Sequence, residues 1–180
     1  MSFRLSFLLG PCLFAFATTA LAEAEAVFLI SGGEADIEKD AFGGTDTGFK
    51  IGSGFKVTEN SGIEIYWAKY GKPKKTVNIP VLGATETSTE LYSLAFQYAH
   101  FFPLTDSVDL LGRFGMAFWK SEVGIAGAGK FDDDGIGLAI GIGAQIYLVE
   151  DWALRTEWEY SELDNFNVNF ISVGFAHYFE

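Results

Sequence analysis

The chain has 180 residues, 24 acidic and 12 basic, and a net charge of −12. Its 18 Phe, 7 Tyr and 4 Trp against only 4 Pro exclude a disordered chain, and its charge excludes nucleic acid as a partner by repelling phosphate. The one cysteine, Cys12, excludes a disulfide framework, and the length corresponds to a single domain.

Residues 1–22 read as a cleaved secretory signal peptide. Arg4 supplies the positive start, Leu5 to Ala17 the apolar run, and Ala20-Leu21-Ala22 the small-residue cleavage site. The run is short of the ~20 residues that a spanning helix needs. The mature unit is then 23–180, an exported chain starting at Glu23.

From there the pattern has period two, the mark of strands with unlike faces. The first strand, about 26–34, is the weakest, and its two faces do not separate. In 47–57, Phe49, Ile51, Phe55 and Val57 oppose Lys50, Gly52, Gly54 and Lys56; in 62–70, Ile63, Ile65 and Trp67 oppose Glu64, Tyr66 and Ala68. Residues 92–102 and 108–118 set Leu94, Phe96, Phe114 and Phe118 against Ala95, Gln97, Arg113 and Ala117. The clearest stretch, 136–148, has Ile136, Leu138, Ile140 and Ile142 on one face and Gly137, Ala139, Gly141 and Gly143 on the other. Residues 152–160 and 167–179 complete the set, with Trp152, Trp158, Phe175 and Phe179 facing away from Arg155, Glu157, Glu159, Ser172 and Gly174. Connections alternate. Long ones are expected at 35–46, 71–87 and 120–134, with a shorter one near 161–166. Tight turns are expected at 58–61, 103–107 and 149–151.

Two architectures fit eight antiparallel strands. A soluble lipocalin-like barrel buries the apolar set; a transmembrane barrel turns it to lipid. The second set decides, because glycine, alanine and paired charges suit a narrow lumen better than a wet surface. The expected fold is an all-β, eight-stranded antiparallel up-and-down transmembrane β-barrel. Closure satisfies every backbone group in lipid.

Three stretches carry a family likeness: Phe102 to Asp109 running into Arg113-Phe114-Gly115 and Trp119; Gln145 to Tyr160 with Arg155 and Glu157; and Val173 to Phe179. They make the chain similar to the OmpA-type outer-membrane barrel domain of Gram-negative bacteria, without the peptidoglycan-binding domain that follows it in OmpA. The resemblance implies an outer-membrane location. It also implies a lumen Glu–Arg pair at Glu64 and Arg155, and an assembly signal in the last strand carried by Ser172, Gly174 and Phe179. At that strand's end His177 replaces an aromatic and Glu180 follows Phe179.

The inward set holds Lys50, Lys56, Arg113 and Arg155 against Glu64, Asp109, Glu157 and Glu159, a balance that predicts ion pairs filling the interior. Lys50, Glu64, Arg113, Arg155, Glu157 and Glu159 are the candidate lumen site. Catalysis is not expected: His100 and His177 both fall on the apolar face with no serine within two residues, against the needs of a lipid A-modifying enzyme. Asp132-Asp133-Asp134 lacks calcium-loop spacing, so no metal or other cofactor is expected. The reading is an integral outer-membrane protein with a structural or surface-interaction role. Its expected partners are outer-membrane lipids, lipopolysaccharide and the assembly machinery. A narrow ion or small-solute channel is the alternative.

Overall fold

The computed structural model describes residues 25–39, 42–79, 83–164 and 166–179. The expected leader lies outside them. Among the described residues nine strands follow one another: β1 (Ala26–Glu38), β2 (Gly44–Thr58), β3 (Ser61–Lys69), β4 (Lys74–Ile79), β5 (Gly83–Thr105), β6 (Val108–Ile125), β7 (Gly129–Val149), β8 (Trp152–Leu163) and β9 (Phe166–Phe179). Every pairing is antiparallel, and all but the two that close the ring join neighbours in the chain. β1 pairs with β9 from Ala26↔Phe179 to Glu38↔Asn167, and β3 pairs with β5 from Ser61↔His100 to Lys69↔Tyr92. The result is a ring of eight strands, with β4 as the upward continuation of β3 on the edge of β5. Gly71, at φ 79°, and Pro73 break the run between β3 and β4, because neither suits an uninterrupted ladder.

The apolar set faces outward. Leu138 and Ile142 are each 62% exposed and Phe114 60%, values that only a lipid solvent makes favourable. Among the described residues no helix is long and apolar enough to cross a membrane; the strands cross instead. Aromatic clusters mark both rims. Phe49, Trp67 and Tyr92 gather toward one end, with Trp67 and Tyr92 stacked at 6.0 Å. Trp152, His177 and Phe179 gather at the other, His177 lying 4.5 Å from the Trp152 ring. This gives the two histidines an amphipathic place at the turn-bearing rim. His100 sits between Tyr98 and Phe102 at the same end.

The structure separates the faces of β1: Val27, Leu29, Ala35 and Ile37 point inward and are buried, so this strand is apolar on both sides. The expected tight turns hold, but three long connections do not. β1 reaches Glu38, β5 begins at Gly83, and β6 and β7 are paired out to Ile125↔Gly129. The segments 71–87 and 120–134 are therefore mostly ladder. Past the aromatic rim the inward positions Thr85, Thr87, Thr89 and Ser121 are buried but polar and the outward ones are polar too, so the sequence contrast that reveals a strand in lipid is lost, while the backbone pairing is not. Asp132, Asp133 and Asp134 belong to this extension of β7, where alternation sends neighbours to opposite faces.

Candidate functional site

The lumen is filled in layers. Toward the mouth away from the tight turns, Tyr70, Leu91, Trp119, Leu163, Phe166 and Phe170 form an apolar stopper. Toward the other mouth Val27, Leu29, Tyr66, Ala153, Ala176 and Tyr178 form a smaller one. Between them lies the charge cluster.

Strand parity puts long charged side chains on β3, β6 and β8, and glycines on the neighbouring β2 and β7 give them room. A Cβ at Gly54 would stand 3.0 Å from Glu64 Cγ, and one at Gly143 would stand 3.1 Å from Glu157 Cγ. The absent side chains are thus occupied by charged neighbours.

All six candidate residues meet. Arg113 Nη2 lies 3.0 Å from both Glu157 Oε1 and Glu159 Oε2, and its Nη1 is 3.7 Å from Glu64 Oε2. Lys50 Nζ donates to Glu157 Oε2 at 2.9 Å and stands 3.5 Å from Glu159 Oε2. Arg155 Nη1 donates to Glu64 Oε1 at 2.9 Å, while its Nε and Nη2 donate to Gln145 Oε1 at 3.0 and 2.8 Å. Three cations face three carboxylates, none with a side chain more than 4% exposed. A gap bordered by Ser31, Lys50, Arg155 and Glu157 measures ≈ 10 Å³, room for about one water molecule.

The other two inward charges go elsewhere. Lys56 reaches Glu25 at 2.6 Å near the turn-side mouth, and Asp109 accepts a hydrogen bond from Tyr147 at 3.1 Å instead of meeting a cation. Polar neighbours absent from the candidate set complete the cluster. Tyr66 donates to Glu64 and carries the Arg113 guanidinium 4.6 Å above its ring. Tyr178 donates to Gln145 Oε1 at 2.9 Å, and Gln97 Nε2 to Glu159 Oε2 at 3.4 Å. Their inward parity was visible in the sequence; their role as uncharged links between charges depends on pairing around the ring.

Of the proposed assembly-signal residues, Ser172 and Gly174 face inward and Phe179 faces out, 48% exposed. Ser61 stands opposite His100 in register, a proximity the sequence hides, but its hydroxyl is engaged with Thr58 Oγ1 at 2.6 Å. Among the described residues no group of His, Cys, Asp or Glu is arranged to hold a metal ion.

Comparison with known proteins follows the same lines. No curated protein matches this chain. Among solved structures, Ail of Yersinia pestis, crystallised with the heparin analogue sucrose octasulfate, is similar at a TM-score of 0.63 and 18% identity; the match covers 87% of this chain and 99% of that one. Neisserial surface protein A gives 0.65 at 17% identity, with 87% and 99% covered. OprG of Pseudomonas aeruginosa gives 0.56 at 17%, with 86% and 96% covered. Residues 8–179 match the family model described as outer membrane protein beta-barrel domain, and the chain belongs to that family of the Gram-negative outer membrane.

Proposed function

We propose that this outer-membrane barrel is a closed structural and surface-interaction protein, neither a channel nor an enzyme. One observation carries the reading: six buried lumen charges sum to zero and meet at hydrogen-bonding distance. A conducting pore keeps its charges wet, whereas this cluster sits between two apolar layers. An enzyme of the lipid-modifying kind needs an activated nucleophile, and the serine nearest a histidine in register spends its hydroxyl on Thr58.

Lipids contact the outward apolar belt. Lipopolysaccharide is the partner proposed for the rim, where Lys69 and Lys72 stand 2.7 and 3.2 Å from Glu90. Ail was crystallised with a polyanion, but here those lysines are already paired with a carboxylate, which favours headgroup contact over strong polyanion capture. The last strand, through Ser172, Gly174 and Phe179, is proposed to engage the assembly machinery.

The test is conductance of the refolded chain in a planar bilayer. The closed reading expects no steady current, with at most rare brief openings. A large steady conductance overturns it and establishes the channel.

A further inference from the structure

Beyond the ring, four strands rise as one sheet in the order β4, β5, β6, β7. Among the described residues both of its borders are open. β4 is paired only with β5, and β7 is joined to β8 only from Leu138 downward, so 129–136 have a partner on the β6 side alone. Pro73 O accepts from Thr89 N, so alternation turns the backbone groups of Lys74, Thr76 and Asn78 to the open side of β4. Such an edge is a template for another strand.

The two edges carry opposite charge. β4 bears Lys74 and Lys75 just after Lys72, with Lys74 3.3 Å from Glu86 of β5; the open part of β7 bears Asp132, Asp133 and Asp134 against Lys130 alone, which is tied to Glu122 at 2.7 Å. Lys74 shares the outer face with its β5 neighbours Glu86 and Ser88, and Asp132 and Asp134 share the same outer face opposite Glu122 and Lys120. Direction also agrees. β4 and β7 are separated by three antiparallel steps, β4 to β5, β5 to β6 and β6 to β7, so they run oppositely. Two copies standing the same way up in one membrane therefore bring β4 against β7 as an antiparallel pair.

We propose that the protein associates with a second copy of itself through these edges, the lysine-bearing β4 of one copy adding to the aspartate-bearing upper part of β7 of the next. Like charges oppose β4 against β4 and β7 against β7, so the charges select the unlike pairing. The contact is head-to-tail and leaves one edge of each kind open, so it propagates into rows. Confinement in the membrane raises the effective concentration that a six-residue strand addition needs.

The experiment mixes two single-cysteine variants in lipid vesicles, both in a Cys12→Ser background: Val77→Cys on β4 and Phe131→Cys on β7. A flexible bis-maleimide then links neighbours. The mixture is expected to give several-fold more dimer than either variant alone, and less at high salt. Lys74→Glu with Lys75→Glu in the first variant should abolish the excess. Asp132→Lys with Asp134→Lys in the second should restore it. Heat-dependent gel mobility verifies that each barrel is folded, since the altered residues lie outside the ring. Dimer from the mixture no more abundant than from the separate variants overturns the proposal, as does an excess that the charge reversals leave unchanged.

Discussion

Replacing Glu64 by alanine tests the lumen most directly. Glu64 is 2% exposed, holds Arg155 at 2.9 Å and Arg113 at 3.7 Å, and accepts from Tyr66. Its removal leaves three cations facing two carboxylates. Arg155 keeps Gln145 at 2.8 Å, but its next carboxylate, Glu157, is 3.8 Å away. A unit pair ~4 Å apart at an effective dielectric of ~20 interacts by about 4 kcal/mol, and breaking one side of a buried pair costs about 3–5 kcal/mol. The retained amide bonds put Glu64→Ala near the lower bound, about 3 kcal/mol. Adding Arg155→Met should recover much of this, since a buried pair replaced by apolar groups is often neutral. The assay is urea unfolding in lipid vesicles, read by tryptophan emission and gel mobility, with bilayer recordings in parallel. Glu64→Ala should open more often than the parent. A loss under about 1 kcal/mol, the range of solvated surface pairs, would show that water screens the cluster and refute a dry plug.

Other outcomes follow from the same geometry. Ile140→Arg places a charge on the lipid face and should cost roughly 2–4 kcal/mol in membrane refolding, whereas Gly141→Arg enters the lumen beside Arg113; equal effects would contradict the faces. Gly115→Ala should impair folding, because its Cβ would fall 1.9 Å from Phe96 O, while Gly112→Ala meets nothing nearer than 3.8 Å and should be silent in the same refolding yield. At the rim, Lys69 and then Tyr92 bind the Glu90 carboxylate and hold its pKa down at about 2, below its unfolded value. Its stabilisation is therefore full above the unfolded pKa and is lost as pH falls toward 2; Glu90→Gln should flatten that acid limb of the unfolding curve. Protease added to intact cells should cut near 126–128 and spare the turns at 58–61, 103–107 and 149–151; early cleavage at 103–107 would invert the orientation.

The sequence revealed the fold where lipid and lumen impose unlike faces. Ile136 to Leu148 alternates so sharply because its even positions meet hydrocarbon and its odd ones meet Arg113 and Glu157. β1 hid its facing because Val27 and Leu29 line an apolar lumen layer while Phe28 and Ile30 meet lipid. The extensions from Gly83 to Glu90 and from Lys120 to Asp134 were illegible as strands because both faces carry polar residues: Thr85, Thr87 and Thr89 are buried, while Glu86 and Glu90 share the opposite face. Parity named the charges of the lumen but not their partners. Lys56 with Glu25 and Asp109 with Tyr147 depend on height within the ring, and the apolar stopper built from Trp119, Phe166 and Phe170 depends on closure.

The lumen pairs join residues far apart in the chain. Lys50 and Glu157 are 107 positions apart, Glu64 and Arg155 91, and Arg113 and Glu159 46. No single hairpin contains any of these pairs, so a half-built sheet entering the bilayer would carry its lysine, arginines and glutamates unneutralised. Arg113 can meet Glu159 once β6, β7 and β8 have paired, but Lys50 with Glu157 and Glu64 with Arg155 lie across the ring and wait for β1 to meet β9. A sheet with that seam open leaves Lys50 and Arg155 apart from the glutamates they meet in the ring, so for these two pairs completing the ring and neutralising the lumen coincide.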